Sequence, residues 1–173
     1  AERAGIELAD YFYRNHDLKS ASDAYDLFLQ NYPNSPYRLK AMQRRVYSRI
    51  GQYKGPRYDG SPLLDAQVLV RRFMAMYPSK AEESGIDEAL LTRIDESAAL
   101  QLMENAAWYI KSGNGAAARY TLKRLIRQHP ETATAQRALD MLIERGWISL
   151  NPPPAPPAPP SDPRPAPVAP APP

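Results

Sequence analysis

The sequence has no cysteine. That excludes a disulfide framework, a thiolate nucleophile and a Cys-ligated metal. Histidine is almost absent too, with two copies, His16 and His129. A protein metal site needs three or four converging ligands, and these two lie in distant segments, so no metal is expected. No apolar run approaches the ~18–20 residues needed to span a bilayer. No signal-peptide pattern opens the chain. Ala1 falls inside a helical pattern, so the protein is expected to begin upstream. Neither sign of charge dominates: the net charge is +3, which permits an acidic partner without demanding one.

Catalytic motifs are missing as well. There is no Gly-x-Ser-x-Gly and no His-Glu-x-x-His. Gly113-x-Gly115 is a fragment of a phosphate loop at most; it follows no strand and lacks the third glycine and a Lys-Ser/Thr pair. The carboxylates fall on solvated helix faces. No cofactor and no enzymatic activity are expected.

Glycine is scarce, with 8 residues in 173, and β-branched runs are few. Ala, Leu, Arg, Glu and Tyr dominate the body, which favours an all-α fold. Proline is scarce only up to Asn151. Thirteen of the 19 prolines fall in the last 23 residues. The expected division is a folded domain over residues 1–150 and a disordered Pro/Ala-rich tail over 151–173. Such a tail is expected to be extended polyproline II, serving as a spacer or as a ligand for an aromatic-lined groove.

One motif occurs three times in the body. It runs Ala21, Tyr25, Phe28, Pro33, then Ala66, Val70, Phe73, Pro78, then Ala118, Leu122, Leu125, Pro130. Offsets of four and three place the apolar residues on one helix face. The proline is expected to end each helix, and the alanine lets a neighbouring helix approach closely. The three copies therefore predict the second helices of three helical hairpins, each burying its core against its neighbours.

Taken in order, residues 2–14 predict a first helix, and Asn15-His16-Asp17 a turn into a second over about 18–32. Ser35 and Pro36 predict the N-cap and first position of a third helix reaching Ile50. That helix is basic, with Arg38, Lys40, Arg44, Arg45 and Arg49. Gly51 to Gly60 is too long for a simple hairpin turn, and either a solvated insertion or a functional loop fits it. Ser61-Pro62 opens a fourth helix to about Tyr77. Residues 84–112 keep a helical period without a breaker and predict one long helix, enough to belong to two hairpins. Its acidic first half (Glu82, Glu83, Asp87, Glu88, Asp95, Glu96) is expected to face the basic third helix. A helix carrying the third motif copy follows Gly113-Asn114-Gly115. Thr132 to Arg145 predicts a last helix, with Gly146 as its stop and Trp147 packing back onto it. About seven helices and no strand are expected.

The motif copies resemble the tetratricopeptide repeat, whose second helix carries a small residue, an aromatic, an apolar residue and a closing proline. Gly5 and Leu39 depart from that pattern, standing where the repeat usually has a bulky aromatic. Longer stretches are similar to the BamD-type lipoproteins of the outer-membrane β-barrel assembly machinery. These are LFLQNYPNSPYRLKAMQRRVYSRI, LLDAQVLVRRFMAMYPSK and ENAAWYIKSGNGAAARYTLKRLIRQHPETATAQRALDML. The resemblance covers about residues 5–145 and implies a right-handed solenoid of tetratricopeptide-type hairpins. It further implies a lipidated cysteine and another repeat upstream, a place at the periplasmic face of the outer membrane, and no enzymatic activity. The implied partners are other assembly-machine subunits and unfolded barrel C-terminal peptides.

In that repeat type the first helix of each hairpin lines the concave side. Arg3, Asp10, Tyr13 and Arg14, then Tyr37, Lys40, Arg44 and Tyr47, would point outward there. Tyrosine and arginine together are the composition of binding hot spots, so Tyr13, Arg14, Tyr37, Lys40, Arg44 and Tyr47 are the candidate partner-binding residues. Two other readings stay open. One is a general tetratricopeptide adaptor in cell-envelope complexes. The other is a basic helical-repeat RNA binder, which would show a steep salt dependence.

Overall fold

A computed structural model describes residues 1–148. The expected proline-rich tail, and with it the division at residue 151, lies outside the described residues. Among the described residues there are eight helices and no strand: α1 (Glu2–Arg14), α2 (Leu18–Asn31), α3 (Arg38–Gly51), α4 (Ser61–Met76), α5 (Pro78–Ser84), α6 (Glu88–Lys111), α7 (Gly115–Gln128) and α8 (Ala133–Glu144). The chain folds as a row of helical hairpins. Helix α1 packs on α2, α2 on α3, α3 on α4, and α6 joins α4 to the α7–α8 end.

Every residue of the three motif copies that was expected inside is buried. Ala21, Tyr25, Phe28, Ala66, Val70, Phe73, Ala118, Leu122 and Leu125 all lie in the core. Three apolar clusters follow the row. The first joins Ile6 and Ala9 of α1 to Tyr25 and Phe28. The second joins Val46 of α3 to Phe73 of α4 and to Leu90, Leu91 and Ile94 of α6. The third joins Ala99 and Ala106 of α6 to Leu122, Leu125 and Leu142. Helix α6 thus serves two clusters, its first half in one and its second half in the next. At 24 residues it is about 36 Å long, which is what lets one helix reach both.

Gly5 is explained by α2. A Cβ at Gly5 would stand 3.3 Å from Phe28 Cδ2, so the Phe28 ring fills the space that an aromatic on α1 would need.

The structure corrects the sequence reading at three places. Ser35 does not cap α3. Its hydroxyl accepts from Tyr37 N at 3.0 Å and donates to Glu2, while Arg38 N bonds Ser35 O at 3.0 Å. That makes a tight turn, and α3 starts two residues later than expected. The long helix is shorter at its start. Helix α4 ends at Met76, ahead of Pro78 as expected, but Pro78 also opens the short helix α5, since proline at the first helical position lacks only an N–H that would have no partner anyway. Gly85 then adopts φ +65 and Asp87 caps α6 by accepting from Leu90 N at 3.0 Å. Asn114 caps α7, accepting from Ala117 N at 3.0 Å. Finally, the acidic residues of α5 and α6 do not neutralise α3. Arg44, Arg45 and Arg49 of α3 pair with Asp10, Asp23, Asp26 and Asp65 of α1, α2 and α4.

The 51–60 segment crosses to α6. Tyr53 donates to Ser97 O at 3.3 Å, Arg57 pairs with Glu104 at 3.3 Å, and Gln101 donates to Tyr58 O. It straps the α3–α4 hairpin to the long helix. At the far end, Gly146 takes φ +67 and Trp147 N bonds Leu142 O at 2.9 Å. Trp147 is half-buried against the third cluster, as its place after α8 suggested.

Candidate functional site

Tyr37, Lys40, Arg44 and Tyr47 are spaced three, four and three apart, which on a helix makes one stripe. Tyr37 is the N-cap of α3 and the other three lie on the helix. The opposite face, through Ala41, Met42 and Val46, is buried. The stripe runs about 15 Å and faces α1 at its middle. There Asp10, with 13% of its side chain exposed, receives three groups at once. Lys40 Nζ lies 2.6 Å from Asp10 Oδ2, Tyr25 OH donates to Oδ1 at 2.7 Å, and the Arg44 guanidinium pairs with Oδ1. Asp10 was expected to point outward; it is instead the buried hub of this cluster. Burial alone would raise its pKa, but the bonds from Lys40, Tyr25 and Arg44 outweigh it and hold the carboxyl below the usual range. Burial also pushes the Tyr25 hydroxyl well above its ordinary value, and the bond to Asp10 adds to it. Tyr25 therefore stays a neutral donor.

Tyr13 joins the same cluster. The Arg44 guanidinium sits 5.3 Å from its ring centroid, a cation–π distance, and its ring meets Tyr25 edge-on at 6.3 Å. Tyr47 extends the stripe to α5, where its hydroxyl donates to Ser84 O. Tyr37 is exposed at the other end. Arg14 is exposed at the end of α1, and the structure does not bring it into these contacts. Of the six candidates, then, five share one surface between α1, α3 and α5, and Arg14 stands apart. Sequence reasoning missed Asp10 as the residue that fixes the two cations. An acid one turn before Tyr13 on the same helix was the available signal.

Chemically this surface offers two exposed phenols, an aromatic–guanidinium stack and two cations against one carboxylate. The cations are held rather than free, with Lys40 and Arg44 side chains 43% and 32% exposed. Such a surface suits apolar and aromatic side chains flanked by hydrogen-bonding groups. Nothing in it supplies a nucleophile beside a base.

Elsewhere, His129 is buried with Nδ1 3.0 Å from Asp95 Oδ1, to which Gln67 also donates at 2.6 Å. Its equivalents Tyr32 and Tyr77 pack on Phe28 and Phe73 at 5.3 and 5.6 Å between ring centroids. His129 holds the same structural place by a polar contact. Among the described residues no group of three ligating side chains could hold a metal ion. No helix among them is long and apolar enough to cross a membrane.

Residues 1–146 match the profile of a protein family described as YfiO, outer membrane lipoprotein. No curated protein matches the sequence.

Proposed function

The chain belongs to the YfiO family of outer membrane lipoproteins, and from this we propose that it is a non-enzymatic scaffold in outer-membrane β-barrel assembly. It would act at the periplasmic face of that membrane, tethered through a lipid anchor outside these residues. Residues 1–150 would be the binding domain and 151–173 an appended tail. Its partners would be other subunits of the assembly machine and unfolded barrel polypeptides with their C-terminal segments. The reading includes no nucleic-acid partner, in keeping with Arg44, Arg45 and Arg49 of α3 each being paired with an aspartate rather than supplying the charge excess a polyanion needs.

The observation that supports this reading best is the α3 stripe. Tyr37, Lys40, Arg44 and Tyr47 present a continuous amphipathic strip whose middle is held rigid by Asp10. Preorganised aromatic and arginine side chains lose little entropy on binding. A photo-crosslinking residue in place of Tyr37 tests it. Unfolded barrel protein should crosslink at position 37 and not at position 120, whose tyrosine is exposed on α7. Crosslinks at 120 with none at 37 would move the binding face elsewhere.

A further inference from the structure

Trp108 lies 64% exposed on α6, although an indole is on average well buried. Its ring is held, meeting Tyr109 edge-on at 5.1 Å. Between α6 and the 51–60 strap lies a cavity of about 430 Å³, lined by Trp108 and Lys111 of the helix and by Pro56 and Arg57 of the strap. Arg57 also pairs with Glu104 of the helix at 3.3 Å. A second recess of about 260 Å³ continues the cavity into a groove, with Asn105 lining both. Glu104, Trp108 and Lys111 are spaced four and three apart, which puts them on one stripe of α6. Along the helix the groove therefore presents a carboxylate, an indole and an ammonium group in that order.

The described residues end at Ile148, near the Lys111 end of this groove. Trp147 packs at the start of α7, where a Cβ on Gly115 would stand 3.4 Å from its Cζ2. From Gly115 back to Lys111 the chain covers at most about 15 Å. Residues 149–161 supply about 40 Å when extended, so the residues after them reach Lys111 with slack. Those residues are Asp162-Pro163-Arg164, and they hold the only charged side chains after Asn151. A chain entering from the Lys111 end meets Lys111, Trp108 and Glu104 in turn. The order acid, proline, base matches that sequence of partners.

We propose that residues 160–164 of the chain's own tail dock in this groove, with Pro163 against the Trp108 indole, Asp162 on Lys111 and Arg164 on Glu104. Proline-rich segments suit aromatic-lined grooves because they are stiff beforehand and lose little entropy on binding. The hydrogen bonding fits as well. Proline has no N–H, so the segment offers mostly carbonyl acceptors. The groove answers with donors: the Trp108 indole, the Asn105 amide and the Arg57 guanidinium. Glu104 can take Arg164 beside Arg57, since its side chain is 44% exposed and that of Arg57 80%. The tether favours this occupant over a separate molecule, because a linked segment is present at an effective concentration of about millimolar. The docked tail covers Trp108 and closes this face of α6 to other proteins. It is separate from the α3 stripe and does not depend on what binds there.

The test uses the full chain. Because the sequence has no cysteine, Ala166→Cys gives a single attachment point for a nitroxide spin label, read through paramagnetic broadening of backbone amide signals by NMR. The amides of Asn105 and Trp108 should lose most of their intensity, and that of Leu27, exposed on α2, should keep its own. Trp108→Ala should restore the α6 signals. Asp162→Lys/Pro163→Ala should restore them too, and that change, confined to the tail, decides the matter if Trp108→Ala lowers the helical content. Full intensity at Asn105 in the labelled wild type would overturn the proposal and leave the groove to another protein. Broadening that survives the tail variant would overturn it as well. So would broadening of isotope-labelled chains without the nitroxide when spin-labelled chains are mixed in, which would make the occupant the tail of a second copy.

Discussion

Lys40 and Asp10 lie 30 residues apart in sequence and meet at 2.6 Å. The contact ties the first helix of one hairpin to the first helix of the next. With Tyr25 and Arg44 on the same carboxylate, it fixes the relative placement of α1, α2 and α3 beneath the stripe.

Removing the hub should be costly. Asp10→Ala leaves two cations facing each other and strips the partner from the Tyr25 hydroxyl, whose residue is fully buried. The expected loss is about 2–3 kcal/mol, below the usual cost for a fully buried pair because Lys40 and Arg44 remain partly in water. Urea unfolding of the variant measures it. A loss under about 0.5 kcal/mol would show that the cluster adds no stability.

The same carboxyl sets an acid limit. Its folded pKa lies below the unfolded value of about 3.9, held there against burial by Lys40, Tyr25 and Arg44. Its contribution is therefore full above that unfolded value and is lost as pH falls through the folded one. Asp10→Asn should flatten the decline of melting temperature below about pH 4. Asp17, bonded by Ser20, and Asp59, bonded by Ser61, also have lowered pKa values. The decline should therefore shrink rather than vanish. An unchanged acid slope would remove Asp10 from the explanation.

Phe73 is fully buried in the middle of the row, between α3 on one side and α6 on the other. Phe73→Ala should cost roughly 3–5 kcal/mol, the usual price of an emptied aromatic site. Chemical denaturation gives the number. A loss under about 1 kcal/mol would mean that the second cluster can collapse around the gap.

Gly85 separates α5 from α6 at φ +65, and a Cβ there would meet nothing within 4 Å. Any cost of Gly85→Ala is therefore backbone strain alone. It should be about 1 kcal/mol, visible as a small fall in melting temperature. A neutral or stabilising result would show that the break is not held in the left-handed conformation.

What the sequence disclosed depends on whether a residue's partner is local or distant. The three motif copies fixed the buried faces of α2, α4 and α7, because Tyr25, Phe73 and Leu122 repeat a helical spacing that burial alone explains. The break at Gly85 was written in Pro78, Gly85 and Asp87, but Ile86 and Leu90 kept the apolar spacing across it and hid the cap. Ser35 looked like a cap because the residues beside it fit one; its real partner, Glu2, is 33 residues away. The stripe from Tyr37 to Tyr47 was legible as a helix face. That Asp10 takes up its two cations was not, since their pairing depends on how α1 docks on α3.

The central claim is that partner polypeptides bind along Tyr37, Lys40, Arg44 and Tyr47. The most direct measurement is titration of a labelled C-terminal barrel peptide against wild type and against Arg44→Ala/Tyr47→Ala. Asp10 keeps Lys40 and Tyr25 in that variant, so its helical content should match wild type. The account predicts binding weaker by about tenfold or more with the circular dichroism spectrum unchanged. Equal affinities for the two proteins, both fully helical, would contradict it.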